Sequence, residues 1–281
     1  MKDKKLFYKV CFFLIIFVGL AILFYPTVSN YLQVRSQKLE IIKHDAKVTS
    51  LKETEREEIK KKAKQHNEKK KNSTKLVADA FDDKKETEAE SDGFYDYIAE
   101  MIGPVVATLE IDKLSLEVPI YQGTSEEVLQ RGIGILESGS LPTGGTGTHT
   151  VLTGHRGLPQ AKLFTDLPKL KLKDQFVIDF LDEKLAYEVD QIKTVEPEDL
   201  DALSIDPTKD YATLITCTPY MVNSHRLLVR GHRVPYVESK AKKAQNKQKQ
   251  NQRMYLIVGA AVLIVLLLFL LYRRKRNKQA S

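Results

Sequence analysis

The middle of this chain predicts a mainly β fold, a closed or nearly closed barrel with only short helices. Three observations carry that expectation. Seven short runs rich in Val, Ile, Thr, Leu and Tyr fall between residues 104 and 236, Gly and Pro clusters separate them, and helical patterning is confined to two short stretches. The runs are 105–111, 116–121, 148–153, 175–181, 185–195, 211–216 and 227–234. Pro119 lacks the N–H a central strand donates, so the second run should be an edge or carry a bulge. The cluster Leu141-Pro142-Thr143-Gly144-Gly145 reads as a turn before the third run. Residues 125–131 and 163–167 are the short helices. No internal repeat is visible.

The chain has 281 residues, with Lys+Arg 44 against Asp+Glu 37 and a formal charge of +7. A 42% hydrophobic content excludes a fully disordered chain, and the basic balance excludes an acidic one. The 2 cysteines, Cys11 and Cys217, are too few for a disulfide framework or a structural zinc site. The apolar residues are unevenly distributed. Residues 10–25 are uncharged and follow Lys2, Lys4, Lys5 and Lys9; residues 254–272 are uncharged and precede Arg273, Arg274, Lys275, Arg276 and Lys278. Both read as transmembrane helices. The first run ends in Phe24-Tyr25-Pro26 without a small-x-small cleavage pattern, so it reads as an uncleaved signal anchor. The second is too long without a polar face to be a core helix.

Basic flanks set the orientation. Lysines before the first span place the basic N-terminus, residues 1–9, in the cytoplasm, and a second span returns the basic tail, 273–281, to the same side. A basic linker at 237–253 pulls the other way, but the first helix usually dominates. Everything between the spans is then extracytoplasmic. Residues 26–75 read as a solvated helical stalk, charge-dense from residue 36 on, with Leu39, Ile42 and Ala46 at helical spacing. Lys60-Lys61-Lys62 and Lys69-Lys70-Lys71 lack interleaved aromatics and sit in the wrong compartment for nucleic acid, so no nucleic-acid partner is expected. Residues 76–103 are a mixed, acidic segment ahead of the barrel, 104–236.

Nucleophilic cysteine chemistry needs a thiolate, a nearby imidazole and donors for an oxyanion. Cys217 ends the run 213–216 beside Thr218-Pro219 and could face a groove, or be a small buried hydrophobe. His155 lies in Gly154-His155-Arg156-Gly157, whose glycines allow unusual backbone geometry and ligand approach. His149 looks like a packed or solvent-facing residue. His225 and His232 are equally possible partners, and Arg226, Arg230 and Arg233 all follow in one strand. Spacing alone leaves the histidine and the arginine open.

Thr213-Leu214-Ile215-Thr216-Cys217-Thr218-Pro219-Tyr220, with Asn223-Ser224-His225-Arg226-Leu227-Leu228-Val229-Arg230-Gly231, resembles the cysteine signature of sortases. Val151-Leu152-Thr153-Gly154-His155-Arg156-Gly157 resembles their histidine motif, and the likeness runs over residues 109–236. It is nearest to the class C, pilus-assembling sortases of Gram-positive bacteria, because of the second span and the segment before the barrel. The resemblance implies a sortase-type closed barrel preceded by a helical and lid segment and flanked by the two spans. Class C enzymes carry an Asp-Pro-aromatic lid, and here Val77-Ala78-Asp79-Ala80-Phe81 stands in that place, with Ala80 for the proline. Asp92-Gly93-Phe94 is a second such string, closer to the barrel.

Carried over by residue, Cys217 is the nucleophile, His155 the acid and base, and Arg226 the donor to substrate or oxyanion. Phe81 would cover the sulfur and Asp79 would pair with Arg226. The implied reaction is transpeptidation of an LPXTG-like sorting signal between Thr and Gly, joining pilin subunits through an acceptor lysine. It requires no metal or organic cofactor. The implied partners are pilins and the lipid bilayer. A wall-anchoring sortase and a membrane-tethered hydrolytic cysteine protease are the alternatives, with an inactive scaffold behind them.

Overall fold

The structure, a computed structural model, describes residues 2–71, 81, 93–238 and 259. The chain divides into two compact units, residues 1–236 and 237–281. The first holds the fold. Eight strands close into a barrel: β1 (Val105–Ile111), β2 (Leu116–Gln122), β3 (Ile133–Ile135), β4 (Thr148–Thr153), β5 (Gln175–Phe180), β6 (Glu183–Val195), β7 (Asp210–Thr218) and β8 (His225–Val234). Their order around the barrel is β1-β2-β3-β4-β7-β8-β6-β5, and β5 pairs back onto β1. The β2–β3 and β4–β7 pairs are parallel and the others antiparallel.

All seven expected strands are present, and β3 is the addition. It is three residues long, too short to show a period of two. Pro119 lies in the part of β2 that pairs with β1 but not with β3, and the predicted irregularity falls instead on β1, between Val105 and Ala107. Alternation along the strands sorts the apolar side chains into two clusters. Leu109, Ile120, Ile133, Leu152, Ile178, Tyr187, Leu214 and Val229 belong to the barrel interior. Val151, Ile215 and Leu228, one position off on β4, β7 and β8, form a second cluster with Leu136 and Leu203.

Among the described residues of the first unit, four α-helices accompany the barrel. α1 (Lys2–Ser50) runs unbroken through Pro26, and α2 (Glu53–Lys71) follows after a break at Leu51-Lys52. α3 is Phe94–Ile102, and α4 is Glu126–Arg131, N-capped by Ser125. The expected helix at 163–167 is a 3-10 segment, Leu163–Lys169. α3 corrects the reading of residues 76–103 as lid throughout. Phe94, Ile98 and Ile102 recur every four residues and are buried in the main cluster, so this stretch is core.

The stalk also differs from expectation. It is helical, but one face is buried against the barrel: Gln37, Ile41, His44 and Val48 on α1, then Ile59, Ala63, His66 and Asn67 on α2. Leu39, Ile42 and Ala46 face outward. The buried stripe mixes apolar with polar residues, and its two amides, Gln37 and Asn67, find backbone partners. Gln37 Nε2 donates to the Arg131 carbonyl at 2.9 Å.

Asn67 grips the turn 141–145. Its Nδ2 donates to the Leu141 carbonyl at 3.0 Å and to Thr143 Oγ1 at 2.9 Å, while its Oδ1 accepts the Leu141 N–H at 2.8 Å. Asn67→Ala leaves a buried N–H and carbonyl without partners, a cost of about 2 kcal/mol. The expected result is a thermal midpoint lowered by roughly 5 °C for residues 27–238. An unchanged midpoint would mean that water replaces the amide without penalty.

Among the described residues, one helix is long and apolar enough to cross a membrane, within Cys11–Ser50. The expected second span, 254–272, lies outside the described residues apart from Gly259.

Candidate active site

Three strand ends meet at one rim of the barrel. β7 delivers Cys217 and β8 delivers Arg226 as its second residue, and the two are register partners in the antiparallel β7–β8 pair. β4 runs parallel to β7 with Thr153 opposite Ile215, and His155 lies two residues past Thr153 as Cys217 lies two past Ile215. By alternation Cys217 shares a face with Ile215, and Arg226 with Leu228. That face belongs to the second apolar cluster, outside the barrel interior.

The loop carrying His155 is pinned on several sides. Gly154 N–H donates to the Ile215 carbonyl at 3.1 Å, and the Gly154 carbonyl accepts Thr216 Oγ1–H at 2.7 Å. Phe164 N–H donates to the His155 carbonyl at 3.1 Å. A Cβ on Gly154 would stand 2.5 Å from Ile133 Cδ1 and 2.8 Å from Phe164 Cδ2, so close packing explains this glycine better than loop freedom. His155 Nε2 lies 3.1 Å from Glu126 Oε2, at the first turn of α4. Glu126 would keep Nε2 protonated and leave Nδ1 as the basic nitrogen of the neutral ring.

Phe81 packs against the second cluster. Its ring centroid is 5.8 Å from that of His155, and Arg226 Cζ stands 5.0 Å from the Phe81 centroid, within cation–π range. One aromatic side chain from the lid segment therefore touches two of the three expected catalytic residues. Asp79 lies outside the described residues. Phe94 of the second string is on α3, stacked on His66 at 5.2 Å, and takes no part in the site.

The residues that spacing left open have separate employments. His149 is buried, with Nδ1 3.0 Å from the Ser204 carbonyl and Nε2 2.7 Å from Thr213 Oγ1. Burial lowers its pKa to about 4, so it is a neutral packed residue at neutral pH. Arg230 forms a two-pronged ion pair with Asp190 at 3.0 and 3.1 Å and lies over the Tyr211 ring. Arg233 stands over Tyr187, His225 Nδ1 is 2.8 Å from Ser224 Oγ, and His232 approaches Asp190 at 3.8 Å.

Two neighbours of the site were not singled out by sequence reasoning. Glu126 carries no local signal, since only the crossover from β2 through α4 brings it to His155. Arg156 follows the histidine directly and could have been questioned. Its Nη1 donates to Thr218 Oγ1 at 2.9 Å, and its guanidinium lies over the Tyr220 ring. It ties the histidine loop to the turn after Cys217.

The sortase domain family matches residues 109–234, the whole barrel except the start of β1. Sortase C-1 from Streptococcus pneumoniae is 44% identical with a TM-score of 0.63, over 71% of this chain and 100% of that one. This chain belongs to the sortase family. The sortase C1 of GBS pilus island 1 is 40% identical with a TM-score of 0.64, over 73% of this chain and 95% of that one. These solved relatives are class C sortases, the class the sequence resemblance indicated. Among curated proteins, sortase A of Bacillus anthracis is 30% identical over 139 residues, 50% of this chain. That stretch is 63% of the curated protein, so the chain matches less than two thirds of its length.

Proposed function

We propose that this sortase is a membrane-anchored cysteine transpeptidase that joins pilin subunits. The observation that carries the reading is the meeting of Cys217, Arg226 and His155 at adjoining strand ends, with Phe81 against the last two. The Cys217 thiolate attacks the threonine carbonyl of an LPXTG-like sorting signal, and Arg226 donates to the developing oxyanion. His155 protonates the departing glycine amine as the C–N bond breaks, leaving a thioester on Cys217. An incoming lysine amine attacks that thioester, His155 takes its proton, and the thiolate leaves as the isopeptide bond forms. The second apolar cluster, with Val151, Ile215, Leu228 and the wall at Leu203, suits the leucine and proline of such a signal. Support for polymerisation comes from the class C relatives, one of them named for a pilus island. In this reading α1 and residues 254–272 both span the membrane, both termini are cytoplasmic and the barrel is extracytoplasmic.

The test is mass spectrometry of the chain with an LPXTG-type peptide and a lysine-bearing pilin peptide. A ligated product supports the transpeptidase, hydrolysis alone supports a tethered protease, and no turnover with the lid opened supports an inactive scaffold.

The lid is part of the same proposal. Phe81 holds against Arg226 and His155, and the pairing of Asp79 with Arg226 that the family resemblance implies would add to closure. Losing an aromatic contact and a cation–π contact removes about 1–2 kcal/mol of closure. Asp79→Ala with Phe81→Ala is expected to raise the rate at which a thiol reagent modifies Cys217 by about tenfold. An unchanged rate would falsify closure by this segment.

A further inference from the structure

The helix that crosses the membrane in the proposed reading also holds the barrel. Residues 10–34 carry no charged side chain, and α1 runs through them without a break. At about 1.5 Å per residue that stretch is roughly 37 Å long, against a hydrocarbon core of about 30 Å. Counting about twenty residues from Lys9 brings the far boundary of the core to the neighbourhood of Asn30. Contact with the barrel begins there. Asn30 Oδ1 accepts the Lys162 N–H at 2.9 Å. One turn on, Gln33 Nε2 donates to the carbonyls of Gln130 and Arg131 at 3.1 and 3.2 Å.

Lys162 belongs to the loop that carries His155, and the turn after Cys217 rests on that loop. The space a Cβ would take at Gly157 is bounded by Tyr220 Cε2 at 3.0 Å and Met221 Sδ at 3.6 Å. The turn is held rather than slack: Val222 and Asn223 N–H both donate to the Pro219 carbonyl, at 3.1 and 3.0 Å. Met221 sits at φ 64°, a left-handed conformation that bulky residues seldom adopt. The turn presents three consecutive apolar side chains to the outside, Tyr220 52%, Met221 71% and Val222 67% exposed. Leu172 and Ile192, by contrast, are exposed singly, which needs no explanation.

We infer that the Tyr220-Met221-Val222 turn dips into the headgroup–acyl boundary of the bilayer, so that the mouth above Cys217 opens at the membrane surface. The inference rests on the reading of α1 as a membrane span. Its occupant is lipid. The turn lies at the barrel end where α1 leaves for the membrane, its tip is apolar, and tyrosine suits the interface. With α1 embedded, the contact is intramolecular, so a small apolar tip suffices to hold the barrel at a fixed height.

The test uses the full chain with Cys11→Ser and Cys217→Ala, in phosphatidylcholine–phosphatidylglycerol vesicles whose acyl chains carry doxyl quenchers. An environment-sensitive fluorophore is attached in turn at Ile22→Cys, Val222→Cys and Lys209→Cys. Lys209 is exposed and immediately precedes β7, at the opposite end of that strand from Cys217. The expected result is strong quenching at 22 and, at 222, roughly threefold the quenching at 209. Adding Met221→Asp should at least halve the signal at 222. Quenching at 22 with equal, weak signals at 222 and 209 overturns the inference and leaves the span intact. No quenching at 22 overturns the membrane reading, and the inference with it.

Discussion

Replacing Cys217 with alanine will abolish ligation of a sorting peptide to a lysine acceptor, a fall on the order of 10⁴-fold or more. The fold should survive, because the side chain lost is small and sits at a strand end on the cluster outside the barrel interior. The expected pattern is an inactive chain whose thermal midpoint stays close to that of the wild type. Residual ligation would place the nucleophile elsewhere, and Cys11, the other cysteine, lies in the apolar N-terminal part of α1. His155→Ala should cost about 10²–10⁴-fold, since both half-reactions need a proton moved. Arg226→Ala should cost about 10²–10³-fold, and Arg226→Lys should recover little, because an ammonium lacks the planar fork. Arg226→Ala also removes the cation under which Phe81 lies, so its thiol should be modified faster while its turnover is slower. That opposition separates a residue acting on the oxyanion from one that merely keeps the site in shape.

Most of the barrel was legible because β-rich runs bounded by Gly and Pro declare themselves locally. β3 was not, since Ile133-Gly134-Ile135 acquires its meaning only from β2 and β4 on either side. The stripe of α1 and α2 was misread for a related reason. Leu39, Ile42 and Ala46 satisfy helical spacing, yet the barrel receives Gln37, Ile41, His44 and Val48. Hydropathy cannot nominate Gln37 or Asn67 for burial, because burying an amide is favourable only where a backbone carbonyl or N–H waits for it. α3 was absorbed into the lid, although Phe94, Ile98 and Ile102 stand four apart.

The site divides the same way. Alternation put Arg226 and Arg230 on one face of β8 but could not separate them. Family resemblance selected Arg226, and the geometry gives that choice a physical ground: Arg230 is occupied by Asp190, whereas Arg226 is the register partner of Cys217. Glu126 could not be read at all. A carboxylate at a helix start is ordinary, and its approach to His155 depends on a parallel crossover no local pattern encodes.

His149 gives the barrel a built-in sensitivity to acid. Unfolded, its imidazole takes up a proton near 6.5; folded, burial beside Thr213 and Ser204 defers protonation to about 4. Arg230 adds to the depression, while Asp190 and the carbonyl of Ser204 oppose it. Between those two values the unfolded state binds more protons than the folded one, so stability falls as pH falls. The contribution is complete above about 6.5 and lost on approaching 4, and it amounts to about 3 kcal/mol. Asp45, Asp179 and Asp210 have raised pKa values, chiefly from burial, and act in the opposite sense. Comparison with His149→Asn cancels them. Asparagine can still donate to the Ser204 carbonyl, but it cannot titrate. In urea unfolding at pH 7 and pH 4, the wild type should therefore lose about 3 kcal/mol more than the asparagine variant. Equal losses would mean that His149 reaches solvent, or flips away from Thr213, before it protonates. Its position makes the result matter for the site, because His149 and Val151 share a face of β4, and Ser204 directly follows Leu203 of the apolar cluster against which Phe81 packs.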